Sequence, residues 1–122
     1  MSANTETKIF TITNVEDITI DNVLSAFKNN GLAPDRLYTK RDDNDFNKII
    51  GGCIVTALYL NEYPNHEQYN SSVAIEWLSA KIGHDECLAL ESGFCGWVCN
   101  VHPQLYRIGR EVRRILEEEQ GK

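Results

Sequence analysis

The chain has 122 residues, a net charge of −6, and 42% apolar against 25% charged positions. That is enough sequence to bury one core without disulfide or metal staples, and its negative field opposes non-specific association with nucleic acid. No stretch approaches the roughly 20 apolar residues of a membrane-spanning helix, and Met1 to Thr7 lacks the basic and apolar pattern of a secretory leader.

In chain order, Lys8 to Thr13 is rich in β-branched and aromatic residues and predicts a strand. Thr19 then stands where a helix cap is needed, ahead of Ile20, Val23, Leu24 and Phe27 at helical spacing, and Asn30-Gly31 supplies a left-handed stop. After Pro34, the segment from Arg36 to Lys40 predicts a short second strand beside the first. The acidic run Asp42 to Asp45 lacks the glycine and glutamate of a calcium loop. It is expected to place negative charge at the start of a helix whose stripe is Phe46, Ile49, Ile50, Cys53, Ile54, Ala57 and Leu58. Gly51-Gly52 inside that stripe is expected to serve close helix packing; no strand precedes the pair and no Gly-Lys-Ser/Thr follows, so it is no phosphate loop.

That helix is expected to end near Tyr63-Pro64. Asn65 then caps another running to Ile82, with Gly83 as its stop and with Tyr69, Val73, Trp77 and Ala80 on one flank and Ala74, Leu78 and Ile82 beside them, a broad and mostly buried face. Asp85 caps a shorter helix through Leu88, Leu90 and Glu91 that closes at Ser92-Gly93, and Phe94 to Val101 reads as a connection. His102-Pro103 opens the last helix, striped by Leu105, Ile108, Val112, Ile115 and Leu116. The expectation is an α+β fold, mainly α, of about five helices with a small N-terminal strand pair. Residues 1–7 form a flexible tail and 8–122 a single compact domain, in a cytoplasmic protein with reduced cysteines. In that setting the glycosylation sequon Asn70-Ser71-Ser72 carries no meaning.

The most concentrated chemistry is His84, Cys87, Cys95, Cys99 and His102. Structural zinc sites aim paired thiolates from a tight C-x-x-C turn, and none is present. Free cysteine behaves as a small hydrophobe, so these positions are read as packing, with no metal, no catalytic residue and no cofactor expected. A metal or a Cys99–His102 dyad are the alternatives. His84-Asp85 and His66 suggest a metal phosphohydrolase, but no aspartate follows Asp85 to complete a ligand set. His66-Glu67 lacks the second histidine of a zinc protease, and the paired inward carboxylates of di-iron bundles are missing.

Arg107, Arg110 and Arg114 fall at i, i+3 and i+7 on the last helix, with Arg113 adjacent, and form a basic stripe on an acidic protein. Guanidinium groups grip carboxylate or phosphate in a bidentate fork, although Glu111, Glu117 and Glu118 are close enough to neutralise part of the stripe. Tyr59, Tyr63 and Tyr69 flank the Pro64 turn as a second candidate contact surface. The expectation is a small non-enzymatic binding protein with a protein partner, no nucleic acid and no membrane, and with self-association as a homodimer through the last helix. The alternatives are binding of a metal or small anionic ligand through residues 84–114, and a small hydrolase of unassigned type.

Overall fold

A computed structural model describes residues 10–35, 39–98 and 101–120. The expected tail over 1–7 lies outside these, as do Lys8 and Ile9 of the first expected strand and Arg36, Leu37 and Tyr38 of the second. Among the described residues, five α-helices surround one core cluster that runs from Ile12 to Leu116, with a three-stranded sheet at the N-terminal side. The mainly helical α+β class is therefore as expected, while several element boundaries are not.

Phe10 to Thr13 forms no strand. Ile12 is buried, but the segment is held from the side: Asn61 Nδ2 donates to the Phe10 carbonyl at 3.2 Å. Asp17 Oδ2 accepts from the Thr13 amide at 2.8 Å and the Thr13 hydroxyl at 2.7 Å, closing a 3₁₀ turn over Val15–Asp17. The β-branched residues there serve core contact without a ladder partner. Helix α1 (Ile20–Asn29) follows as the sequence predicts, with Thr19 Oγ1 accepting from the Asn22 amide at 3.1 Å and Gly31 at φ 62°.

The largest correction concerns residues 45–52. The expected helix beginning at Phe46 is strand β3 (Asp45–Gly52), the centre of a sheet ordered β1-β3-β2, where β1 is Ala33–Pro34 and β2 is Lys40–Asp42. β1 runs parallel to β3 and β2 antiparallel. The helical spacing was a coincidence of a short apolar run, which periodicity alone cannot assign to either element. Burial separates the two readings: Ile49 is fully enclosed, whereas Phe46 is 72% exposed and Ile50 only partly covered. The acidic run is a hairpin turn and not a helix start; Asp42 Oδ1 accepts from the Asn44 amide at 2.9 Å and Asp45 Oδ1 from the Asn47 amide at 3.1 Å. Gly51 is not at a helix contact as expected but in the sheet, where a Cβ would lie 3.2 Å from the Ala33 carbonyl oxygen of the neighbouring strand.

Helix α2 (Ile54–Glu62) starts only after this strand and buries Ile54 through Leu58 together with Leu60, so it is enclosed nearly all round. Helix α3 (Ser71–Ile82) begins later than expected because Asn70, not Asn65, is the cap. Its Oδ1 accepts from the amides of Ser72 at 2.9 Å and Val73 at 3.2 Å. Its buried stripe is Ala74, Leu78 and Ile82; Val73 and Ala80, expected inside, are exposed.

Helix α4 (His84–Cys95) runs straight through Ser92-Gly93, where it was expected to close, and stops at Gly96 in the left-handed region at φ 86°. Gly93 is retained inside it because helix α5 (Pro103–Gln120) lies against that position: a Cβ would collide with the Tyr106 carbonyl oxygen and sit 3.1 Å from the Arg110 amide nitrogen. Gly109 on α5 reciprocates, facing the Leu90 carbonyl oxygen and the Phe94 amide nitrogen. Leu105, Gly109, Val112 and Leu116 are the buried line of α5. The stripe that suggested pairing with a second copy is therefore occupied within the chain.

Two outcomes check this packing. Ile49→Ala should destabilise by about 2–5 kcal/mol in denaturant unfolding while Phe46→Ala costs under about 0.5 kcal/mol, and comparable losses at both positions would restore a helix there. Gly109→Ala improves helix propensity by about 1 kcal/mol, but its methyl meets backbone that cannot rotate away. The net result should be lowered stability, and a raised melting temperature would show that α4 and α5 do not approach so closely.

Candidate basic groove on the last two helices

The glycine contacts set the geometry of a groove between the end of α4 and the middle of α5. Its volume is about 400 Å³, and Gly93 and Gly96 give its floor little side-chain bulk, with nothing within 4 Å of where a Gly96 Cβ would stand. Arg107, Arg110, Arg113 and Arg114 line it together with Glu111 and Glu117.

These four cations are not equivalent. Arg114 is saturated, as its guanidinium binds both Glu111 and Glu118, the latter at 2.6 Å. These hydrogen bonds hold the Glu111 carboxyl below its ordinary pKa and push the Arg114 guanidinium further up. Arg113 Nε donates to Glu117 Oε2 at 2.7 Å, and its guanidinium lies 5.0 Å from the centre of the Phe94 ring. Its Nη1 is nevertheless buried without a hydrogen-bond partner among the described residues. Arg107 and Arg110 are exposed and form no ion pair with a described acid. The expected stripe is thus divided: Arg107 and Arg110 present free charge, Arg114 is internally neutralised, and Arg113 takes a larger part than its sequence position suggested.

Phe94 ties this groove to the core. Its other face stacks on Phe27 of α1 with ring centres 5.4 Å apart. The aromatic pair therefore holds Arg113 in place from beneath.

The three tyrosines lie elsewhere, and none lines the groove. Tyr59 packs against Tyr63 at 4.9 Å, Tyr69 at 5.7 Å and Trp77 at 5.5 Å, forming an aromatic cluster between α2 and α3. Tyr63 keeps the most exposed ring of the three, at 45%. Tyr69 belongs to a buried polar chain that spacing in the sequence did not reveal. Its hydroxyl meets Thr56 Oγ1 at 2.6 Å, and Thr56 Oγ1 in turn lies 3.6 Å from Cys53 Sγ. Glu91 of α4 lies within electrostatic reach of Cys53 and Cys87, Thr39 of Tyr69, and Ser79 of Cys87.

Burial governs the charge of this network. It raises the Glu91 carboxyl and the Cys53 thiol, and pushes Cys87 up to about 11 and Tyr69 to about 12. Both thiols are thereby kept protonated, which is the opposite of what a nucleophile or metal ligand needs. The groups come from β2's flank, the start of α2, the loop before α3, and α4, so only tertiary structure unites them.

The 84–102 cysteine and histidine segment does not converge among the described residues; Cys99 lies outside them. Cys87 and Cys95 are buried and His84 is exposed at the start of α4. His102 instead caps α5, its Nδ1 accepting from the Leu105 amide at 3.5 Å while Nε2 lies 3.9 Å from Glu86 Oε2. His66, considered above as a metal ligand, accepts the Ile49 amide on Nδ1 at 3.0 Å, and burial followed by the Arg41 and Lys48 charges lowers its pKa. That bond joins the loop after α2 to the central strand.

No protein-family model matches the chain, and no curated protein or solved structure resembles it significantly.

The raised Glu91 pKa has a definite consequence for stability. The folded state holds this proton more tightly than the unfolded chain, so stability falls as pH rises from about 4.5 toward the folded value and stays reduced above it. Glu91→Gln keeps the shape of the side chain and removes its charge. It should raise the melting temperature at pH 7.5 and leave it nearly unchanged at pH 4, and a variant less stable than the parent at pH 7.5 would show that the carboxylate is held in a favourable charged state.

Proposed function

We propose that the protein is a non-enzymatic binding module that captures an acidic segment of a protein partner in the groove between α4 and α5. The observation that carries this reading is the pair Arg107 and Arg110: two exposed guanidiniums beside a groove, unpaired among the described residues, on a chain whose net charge is −6. An acidic protein that concentrates unpaired cations in one place presents a local field opposite to its overall one. Such a patch selects and orients an acidic partner more than it supplies raw affinity. The Cys53 and Cys87 thiols and the Tyr69 hydroxyl of the buried network are held neutral by burial, which supports a binding role over catalysis for those groups.

Exposed side chains make the test clean. Arg107→Gln/Arg110→Gln should leave circular dichroism and melting temperature unchanged. It should weaken binding of a fluorescein-labelled Asp/Glu decapeptide at least tenfold in 50 mM salt, as read by anisotropy. The parent's affinity should fall as salt rises, reflecting screening of exposed charge. Equal binding by parent and variant, or no binding by the parent, would remove the groove as the partner site.

A further inference from the structure

A second cavity lies where the starts of α1 and α5 meet the 3₁₀ turn over Val15–Asp17, and it shares no lining residue with the arginine groove. We propose that it binds a small amphipathic amine, with the aliphatic part inside and the protonated nitrogen at the rim. Its volume is about 580 Å³, within the range of small-molecule sites. Buried Ile18 and Leu105 and the partly buried Val15, Ile20 and Ile108 supply an aliphatic lining. The last three pack against the core and still keep apolar surface in contact with water, which a ligand chain would cover. The surrounding backbone is held in place by its own bonds. Asn22 Nδ2 donates to the Asp17 carbonyl at 2.9 Å and ties the turn to α1, Thr19 Oγ1 caps α1, and His102 Nδ1 caps α5. A site already formed spares its ligand the cost of ordering it.

Charge selects the head group. Glu16 and Asp21 are exposed on the lining and form no ion pair with a described cation, and among the described residues no lysine or arginine lines the cavity. The N-termini of α1 and α5 bring about half a positive charge each, which offsets one of these two carboxylates. Groups just outside the lining do not restore the balance. Arg107, next to Ile108, is matched by Asp17, next to Glu16, and a proton on His102 is matched by Glu86, whose Oε2 lies 3.9 Å from His102 Nε2. The site is therefore negative whether or not His102 is protonated. A carboxylate ligand is repelled there and an alcohol gains nothing from the two acids. An ammonium group offers three donors to their oxygens.

Three six-carbon probes, hexylamine, hexan-1-ol and hexanoate, separate the head groups, and methylamine carries the charge without the chain. At pH 7.5 the amines and the acid are ionised. Backbone amide shifts of the isotope-labelled full chain read both affinity and place. Expected is at least fivefold tighter binding of hexylamine than of hexan-1-ol, no saturable binding of hexanoate or methylamine, and shifts centred on Val15, Ile20 and Ile108. Glu16→Gln/Asp21→Asn changes only exposed side chains and should bring hexylamine down to the level of hexan-1-ol. Arg107→Gln/Arg110→Gln should leave hexylamine binding intact, which separates this site from the acidic-segment groove. Ile108→Ser should weaken hexylamine and hexan-1-ol alike; a thermal melt checks its folding, and the exposed acid variant decides the matter where it fails to fold. Equal binding of hexylamine and hexan-1-ol by the parent, or hexylamine binding unchanged in the acid variant, overturns the amine assignment. Shifts centred elsewhere, or none at millimolar hexylamine, overturn the site itself.

Discussion

The backbone-to-backbone contact of α4 and α5 at Gly93 and Gly109 is the constraint on which the rest of the molecule depends. Each glycine faces the other helix's carbonyl oxygen, so neither position has room for even a methyl group. Helices normally meet through interlocking side chains, and removing those chains at the crossing allows the axes to come nearer while the flanking residues interdigitate more deeply. Leu105, Val112 and Leu116 on one side and Leu90 and Phe94 on the other are buried as a result. Phe94 then becomes a hinge point of the architecture, touching Phe27 of α1 on one face and the Arg113 guanidinium on the other. Interior packing and the surface groove share this single side chain.

A second constraint acts across the opposite side of α4. Cys53, Thr56 and Tyr69 form a polar chain through otherwise apolar surroundings between the start of α2 and the loop before α3, with Glu91 of α4 and Thr39 close by. Such a network is costly when incomplete and restrictive when satisfied, because each hydroxyl or thiol has only one geometry that serves both neighbours. His66 adds a further tie, accepting an amide from β3 that lies between the two strands pairing with it. The helical layer and the small sheet are thereby held in a fixed relation without large areas of contact between them.

Electrostatics follow from that packing. With Arg113 and Arg114 paired to Glu117, Glu111 and Glu118, much of the last helix is neutralised within itself. Exposed pairs of this kind contribute little to stability. Their larger effect is on the distribution of charge, since they leave Arg107 and Arg110 beside the end of α4 without an ion-pair partner among the described residues. A sequence count of four arginines becomes a site with two such cations, one arginine held between Glu117 and Phe94, and one occupied residue.

By itself the sequence determined the elements whose signals are local. The Thr19 cap and Gly31 stop delimit α1, Pro103 opens α5, and the spacing of Leu105, Val112 and Leu116 fixes which side of α5 is buried, because a cap or a 3.6-residue period needs only neighbours within a few turns. The basic stripe was legible for the same reason. Tertiary structure alone decided that Asp45 to Gly52 is a strand, since the hydrogen bonds that make it one come from Ala33 and from Lys40 to Asp42, and its apolar spacing fitted a helix equally well. It likewise decided that Gly93 continues a helix and does not end one, because what favours glycine there is the backbone of a distant helix. The proximity of Cys53 and Glu91 and the division of roles among the arginines belong to the same class. Each depends on which residues from separate elements meet in a low-dielectric interior or compete for the same carboxylate, and spacing along the chain carries no record of that.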